Sequence, residues 1–176
     1  EYIIGDQLDV LNRLIMCAEK TDGTDVFRIT SESPFLHHKV VDQLWEQHCS
    51  KNNDATLYDD IIDGCGFEFI KLSALIKSHL EGEEKHRSEL CTLYIREHLN
   101  DFKVQKVKAP DHLNRKDLRL TVDNPEDLVI CRKIYNEFKN QAPQISLEDI
   151  ITYLDQHPDL KELTYPLTIE GYNTMY

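Results

Sequence analysis

The chain has few glycines, and they are badly placed for a phosphate cradle. Of six, only Gly5 and Gly23 lie near the start, and no Gly-rich loop follows an opening strand. Dinucleotide- and triphosphate-binding α/β domains place such a loop ahead of their first helix. Either the fold has no cradle of this kind, or the segment that holds it lies outside this sequence. The first residue is not Met, as in a processed protein or a fragment.

Other absences narrow the class further. The five cysteines, Cys17, Cys49, Cys65, Cys91 and Cys131, show no Cys-x-x-Cys spacing. That argues against a zinc cluster or a disulfide framework and reads as reduced, mostly buried thiols of a cytoplasmic protein. No apolar run approaches a membrane span and no signal segment is present, so membrane insertion is not expected. The histidines (His37, His38, His48, His79, His86, His98, His112 and His157) never take metal-motif spacing and read as surface groups and local hydrogen bonders. Asp59, Asp60 and Asp63 lack the spacing of an EF-hand calcium loop, and no Ser, His and acid set has the context of a nucleophilic triad. Positive charge is also scarce. A net charge of -12 argues against a nucleic-acid partner or an anionic membrane surface, yet it suits a site where a divalent cation offsets phosphate. Lys103, Lys106 and Lys108, with Arg115 and Lys116 nearby, form the main basic concentration and read as a solvated strand edge or an anion attractor.

The 176 residues, 40% of them hydrophobic, suffice for a single domain over 1–176 with its own core. Apolar periodicity predicts helices over Leu8–Ala18, Leu36–Cys49, Ser73–Leu80, Ser88–Leu99, Pro125–Phe138 and Ser146–Gln156. Strands are predicted over Asp25–Thr30, Asp54–Tyr58, Phe67–Ile70, Phe102–Val107 and Leu118–Val122. Ser31–Pro34 reads as a tight loop, Asp59–Gly64 as an acidic loop and Gly82–Arg87 as a solvated one. Strands that alternate with helices imply an α/β fold with a mostly parallel sheet.

The most informative stretch is Arg119–Leu128. Leu118–Val122 is short, apolar and β-branched, and Asn124, Pro125, Glu126 and Asp127 carry the capping and first-turn signals of a helix. Asp123 therefore sits at the carboxyl end of a strand, where open α/β sheets bind ligands.

Three segments together resemble the cytidylyltransferases of bacterial surface-polysaccharide synthesis, the spore-coat polysaccharide family related to the CMP-keto-sugar-acid synthetases. They are Gly5–Arg13, Phe27–Phe35 and Leu118–Leu128, and the last matches the family's Leu-Arg-[Leu/Trp]-Thr-Val-Asp-Thr-Pro-Glu-Asp-Leu almost letter for letter. Ser146–Ile150 and His157-Pro158 also fit, so the resemblance runs along essentially the whole chain. It implies a three-layer α/β/α fold of the nucleotide-diphospho-sugar transferase type, Rossmann-like and N-terminally incomplete here. It also implies a protein that binds CTP and a sugar acid, transfers cytidylyl to the sugar hydroxyl and releases pyrophosphate. The family's two magnesium-binding Asp positions fall on Glu32 and Asp123.

Departures from the pattern accompany the matches. The N-terminal Arg/Gly-rich loop is absent from this sequence, Asp becomes Glu at Glu32, and the preceding Gly becomes Ser31. The family's Gly-Leu-Asp-Val-Glu-Val reads Gly64–Phe69, which keeps Glu68 and loses the Asp. Its Arg-Glu-His-Val reads Ser88–Cys91, which keeps Glu89 and loses the Arg and the His. Asp123 and Glu32 are thus the candidate catalytic and metal-holding pair, with Arg28, Glu68 and Glu89 as candidate substrate contacts. Arg28 is alternatively one half of an internal ion pair, and Arg119 reads as a surface or paired residue. A non-catalytic homologue acting as an interaction or regulatory module, or a nucleotidyltransferase of another base or sugar, remain as alternatives. A sheet that lacks its first strands exposes apolar edge, so self-association is expected.

Overall fold

The computed structural model describes residues 2–174. Its elements run α1 (Val10–Lys20), β1 (Asp25–Arg28), α2 (Val41–Lys51), β2 (Ala55–Asp60), β3 (Phe67–Lys71), α3 (Leu72–Glu81), α4 (Leu93–Glu97), β4 (Val104–Lys108), α5 (Pro125–Phe138), α6 (Leu147–Gln156) and α7 (Pro158–Thr174). The four strands form one sheet in the order β1-β3-β2-β4. β1 pairs antiparallel with β3, Val26 opposite Ile70 and Phe27 opposite Phe69, so the sheet is mixed. Alternation of strands and helices hides this reversal. Residues 61–66, between β2 and β3, are too few for a helical crossover.

The residues fall into two compact units, the first made of 2–28, 42–57 and 68–106, the second of 29–41, 58–67 and 107–174. In the first unit, Asp9 starts α1 by accepting the Asn12 N–H at 2.9 Å. Leu11, Ile15 and Ala18 then line one buried helix face. Leu8, expected on that face, precedes the helix and is exposed. This stripe packs with Ala55 and Leu57 of β2, Ile70 of β3, Ala74 and Leu75 of α3, and Ile95 and Phe102 into one hydrophobic core. At about 25 cal/mol per Å² of apolar area removed from water, such a core is the main stabilising term of the unit.

Several expectations fail in the first unit. The helix over Ser88–Leu99 contracts to α4, Leu93–Glu97. The solvated loop Gly82–Arg87 is instead anchored by a 3-10 turn over Glu84–Arg87. There His86 is buried, one ring nitrogen accepting from the Glu83 N–H at 2.7 Å and the other 2.8 Å from Glu97 Oε2. A polar anchor of this kind leaves no apolar period to read. His48 is buried as well, 2.9 Å from Thr56 Oγ1 and 3.0 Å from Asp25 Oδ1, and His37 of the second unit lies 2.8 Å from the Tyr58 hydroxyl. These three histidines are internal hydrogen bonders, and their surface assignment is corrected.

In the second unit, Leu118–Val122 is extended and nearly all buried but is not a full strand, because it makes a single parallel bridge, Arg119 to Asp63. Its backbone is held on two sides, Leu120 N–H donating to Asp63 O at 2.8 Å and Val122 N–H to Glu32 O at 2.9 Å. Gly64 makes this approach possible. Its φ is +87°, and a β-carbon there would lie 2.5 Å from Thr121 N. Helix α7 has no counterpart in the sequence reading. Its buried face carries Leu160, Thr164 and Thr168, Thr168 Oγ donating to Thr164 O at 3.0 Å, so a continuous aliphatic stripe is missing. Gly64→Ala should therefore lose more than about 2 kcal/mol of stability, the sum of a left-handed backbone penalty and a backbone clash. Urea unfolding measures it, and a loss within about 0.5 kcal/mol would contradict the close approach.

Candidate functional site

Helix α5 fixes the first group of candidate residues. Pro125 occupies its first turn, and the Asp127 carboxylate reaches back to accept the Asp123 N–H at 3.1 Å and the Asn124 N–H at 3.0 Å. A carboxylate on the free N–H groups of a helix start is favourable on both hydrogen-bonding and dipole grounds. The other oxygen of Asp127 accepts from Arg119 Nε at 3.1 Å. Arg119 also donates from Nη1 to Asp63 Oδ2 at 2.7 Å, and from Nη2 to Asp123 Oδ2. One buried guanidinium thus holds three carboxylates from three places in the chain.

The electrostatics of this group are uneven. Three carboxylates meet one guanidinium, so when all are ionised these four side chains are two negative charges from neutrality. Burial raises the Asp63 carboxyl above its ordinary value; Arg119 pulls it back, and Asp123 and Asp127 push it up again. Asp63 and Asp127 have no room to respond, their side chains being 5% and 0% exposed, whereas Asp123 is 48% exposed. Glu32, half-buried, is tied to the same segment through its carbonyl, which accepts the Val122 N–H. The backbone thus sets the two candidate metal carboxylates on adjoining stretches of chain. Their chemistry suits magnesium, a hard cation that typically takes one or two protein carboxylates and leaves its remaining positions to water and phosphate. Among the described residues no group of three or more His, Cys, Asp or Glu side chains is arranged to hold a metal by itself.

The second group of candidates lies in the first unit, on β1, β3 and α4. Glu68 is buried and accepts from Arg28 Nη1 at 3.0 Å, Arg96 Nη2 at 3.0 Å and the Thr92 hydroxyl at 2.6 Å. Register explains the first contact, since Arg28 and Glu68 are directly opposite in the β1–β3 pair. Arg28 also donates to the Glu89 carbonyl at 2.7 Å. Of the two readings of Arg28, the internal ion pair is present. The Glu89 side chain is exposed, and its contribution to this group comes from the backbone.

Sequence reasoning missed Asp63, Arg96 and Thr92 and undervalued Arg119 and Asp127. The motif around Arg119 contained the last two. Asp63 had one available signal, its place beside Gly64 in an acidic run. Arg96 and Thr92 had none, because their partner is on another strand.

This α/β sheet, with a carboxylate at the start of a helix that follows an extended apolar segment, belongs to a known class. A cytidylyltransferase family model matches residues 4–168, and the chain belongs to that family. An uncharacterized protein of Methanocaldococcus jannaschii is 30% identical over 168 residues, covering 96% of this chain and 68% of the relative. The spore coat polysaccharide biosynthesis protein SpsF of Bacillus subtilis is 28% identical over 156 residues, covering 88% of this chain and 65% of the relative. The solved structure of a cytidylyltransferase from Leptospira borgpetersenii superposes with a TM-score of 0.79 at 19% identity, covering 89% of this chain and 66% of that one, and establishes the fold. The chain thus spans about two thirds of the length of these proteins.

Replacing Glu68 by Gln would take the buried carboxylate away from both guanidiniums. Loss of one member of a buried ion pair is strongly destabilising, so Glu68→Gln should cost about 3 kcal/mol in denaturant unfolding. An unchanged midpoint would show that the pairs are dispensable.

Proposed function

We propose that this chain acts as a cytidylyltransferase that moves a cytidylyl group from CTP to a sugar-acid hydroxyl, with release of pyrophosphate, in polysaccharide or glycoconjugate synthesis in the cytoplasm. The hydroxyl oxygen bonds to the α-phosphorus, the bond to pyrophosphate breaks, and the hydroxyl proton leaves. The observation that carries this reading is Asp123, presented half-exposed beside the Glu32 segment by a buried guanidinium in a family-specific motif. Asp123 and Glu32 would hold magnesium, which when bound supplies charge neutralisation at the phosphates. Asp127 fixes the backbone of Asp123 and Asn124, and Arg119 fixes the Asp123 side chain. The part played by SpsF in spore coat polysaccharide synthesis supports the pathway class.

One observation favours a second reading, a homologue that keeps the fold as an interaction module or takes another nucleotide. The candidate side chains Arg28, Glu68 and Asp123 are all engaged with protein partners. Calorimetry with CTP, with and without magnesium and with ATP and GTP as controls, separates these readings. Magnesium-dependent binding selective for CTP is the expected result. Binding without cytosine preference would redirect the nucleotide assignment, and no binding at millimolar nucleotide by folded protein would favour the interaction module.

We also propose self-association. Its support is the edge position of β1, where Phe27 and, on α2, Trp45 are exposed large apolar residues. Sedimentation at micromolar concentration should find a species larger than the monomer, and a cooperative melt from a pure monomer would contradict it. Among the described residues no helix is long and apolar enough to cross a membrane.

A further inference from the structure

Helix α7 places Gly171 against the buried guanidinium. A β-carbon at that position would lie 2.7 Å from Arg119 Nη1, 3.5 Å from Asp63 Oδ2 and 3.9 Å from Arg119 Cζ. Nη1 is the atom that donates to Asp63, and Nη2 of the same plane is the atom on Asp123. A guanidinium is planar and rigid, so its donors move as one body. Arg119 is held on its inner side by Asp63 and Asp127, both buried, which leaves Asp123 as the solvent-facing member whose position follows the guanidinium. An interior helical glycine costs stability relative to alanine, and here the missing β-carbon is what admits the helix to the cluster.

We propose that Arg119 and Gly171 are positioning residues for Asp123, so that the seating of α7 on the Arg119 guanidinium sets the geometry in which Asp123 meets a divalent cation. The account rests on the reading of Asp123 as a cation-holding carboxylate. A side chain at position 171 pushes Nη1 away from Asp63, and the rigid plane carries Nη2 off Asp123. The Asp123 carboxylate then turns to solvent and must be reordered each time a cation binds. Groups that orient a ligating carboxylate typically control metal affinity by about 10- to 100-fold.

The test measures Mn²⁺ binding to the intact protein in the presence of CTP, from the loss of the free-ion electron paramagnetic resonance signal beyond that caused by the same CTP without protein, so the readout is affinity and not activity. Asp123→Asn, Arg119→Lys and Gly171→Ala are compared with the parent, each at a temperature well below its own melt. The proposal expects the parent to bind, Asp123→Asn to lose affinity, and both Arg119→Lys and Gly171→Ala to weaken binding by about tenfold with the fold intact. A purely structural role for α7 would lower the melting temperature and leave the affinity of the folded protein alone. Parental affinity in Gly171→Ala, with Asp123→Asn impaired, overturns the positioning role and leaves Asp123 as a cation ligand. If Arg119→Lys does not fold, Gly171→Ala decides by itself. No binding by the parent, or full affinity in Asp123→Asn, overturns the Asp123 reading and the positioning role together.

Discussion

The organisation of the second unit depends on one buried cation. Arg119 gathers Asp63, Asp123 and Asp127, and each of these carboxylates fixes a different piece of chain. Asp127 starts α5, Asp63 lies beside the positive-φ Gly64, and Asp123 stands between the extended segment and the helix. Removing the guanidinium would take their shared cation from two nearly inaccessible carboxylates, which a protein interior tolerates poorly. The same guanidinium limits what may approach it, and Gly171 meets that limit.

The two ionic groups are built in opposite ways. Arg119 meets three carboxylates, whereas Glu68 meets two guanidiniums. In a chain of net charge -12, two arginines converge on one buried acid. Arginine suits both places because its fork satisfies several acceptors at once and its charge is not lost on burial.

Local chemistry made some of this legible from sequence and tertiary chemistry hid the rest. Asn124, Pro125 and Asp127 announce a helix start because capping is settled within a few residues, and the structure places α5 from Pro125 to Phe138 as expected. Likewise Ser146 caps α6 by accepting the Asp149 N–H. Asp63 was not legible as a partner of Arg119, since the two are 56 positions apart and meet through a bridge that needs Gly64. The shortened α4, the anchored turn at His86 and the threonine-faced α7 share a different cause. The first two are held by polar contacts and the third buries two threonines, so none shows a full period-3.6 pattern of apolar residues.

The most direct test of the account is a crystal structure of the protein with CTP and Mn²⁺, read from the anomalous signal of the metal. The account predicts a peak within bonding distance of an Asp123 oxygen and of the Glu32 carboxylate, with Arg119 still on Asp63 and Asp127. A metal seated elsewhere, or a bound nucleotide with no metal at Asp123, would contradict it.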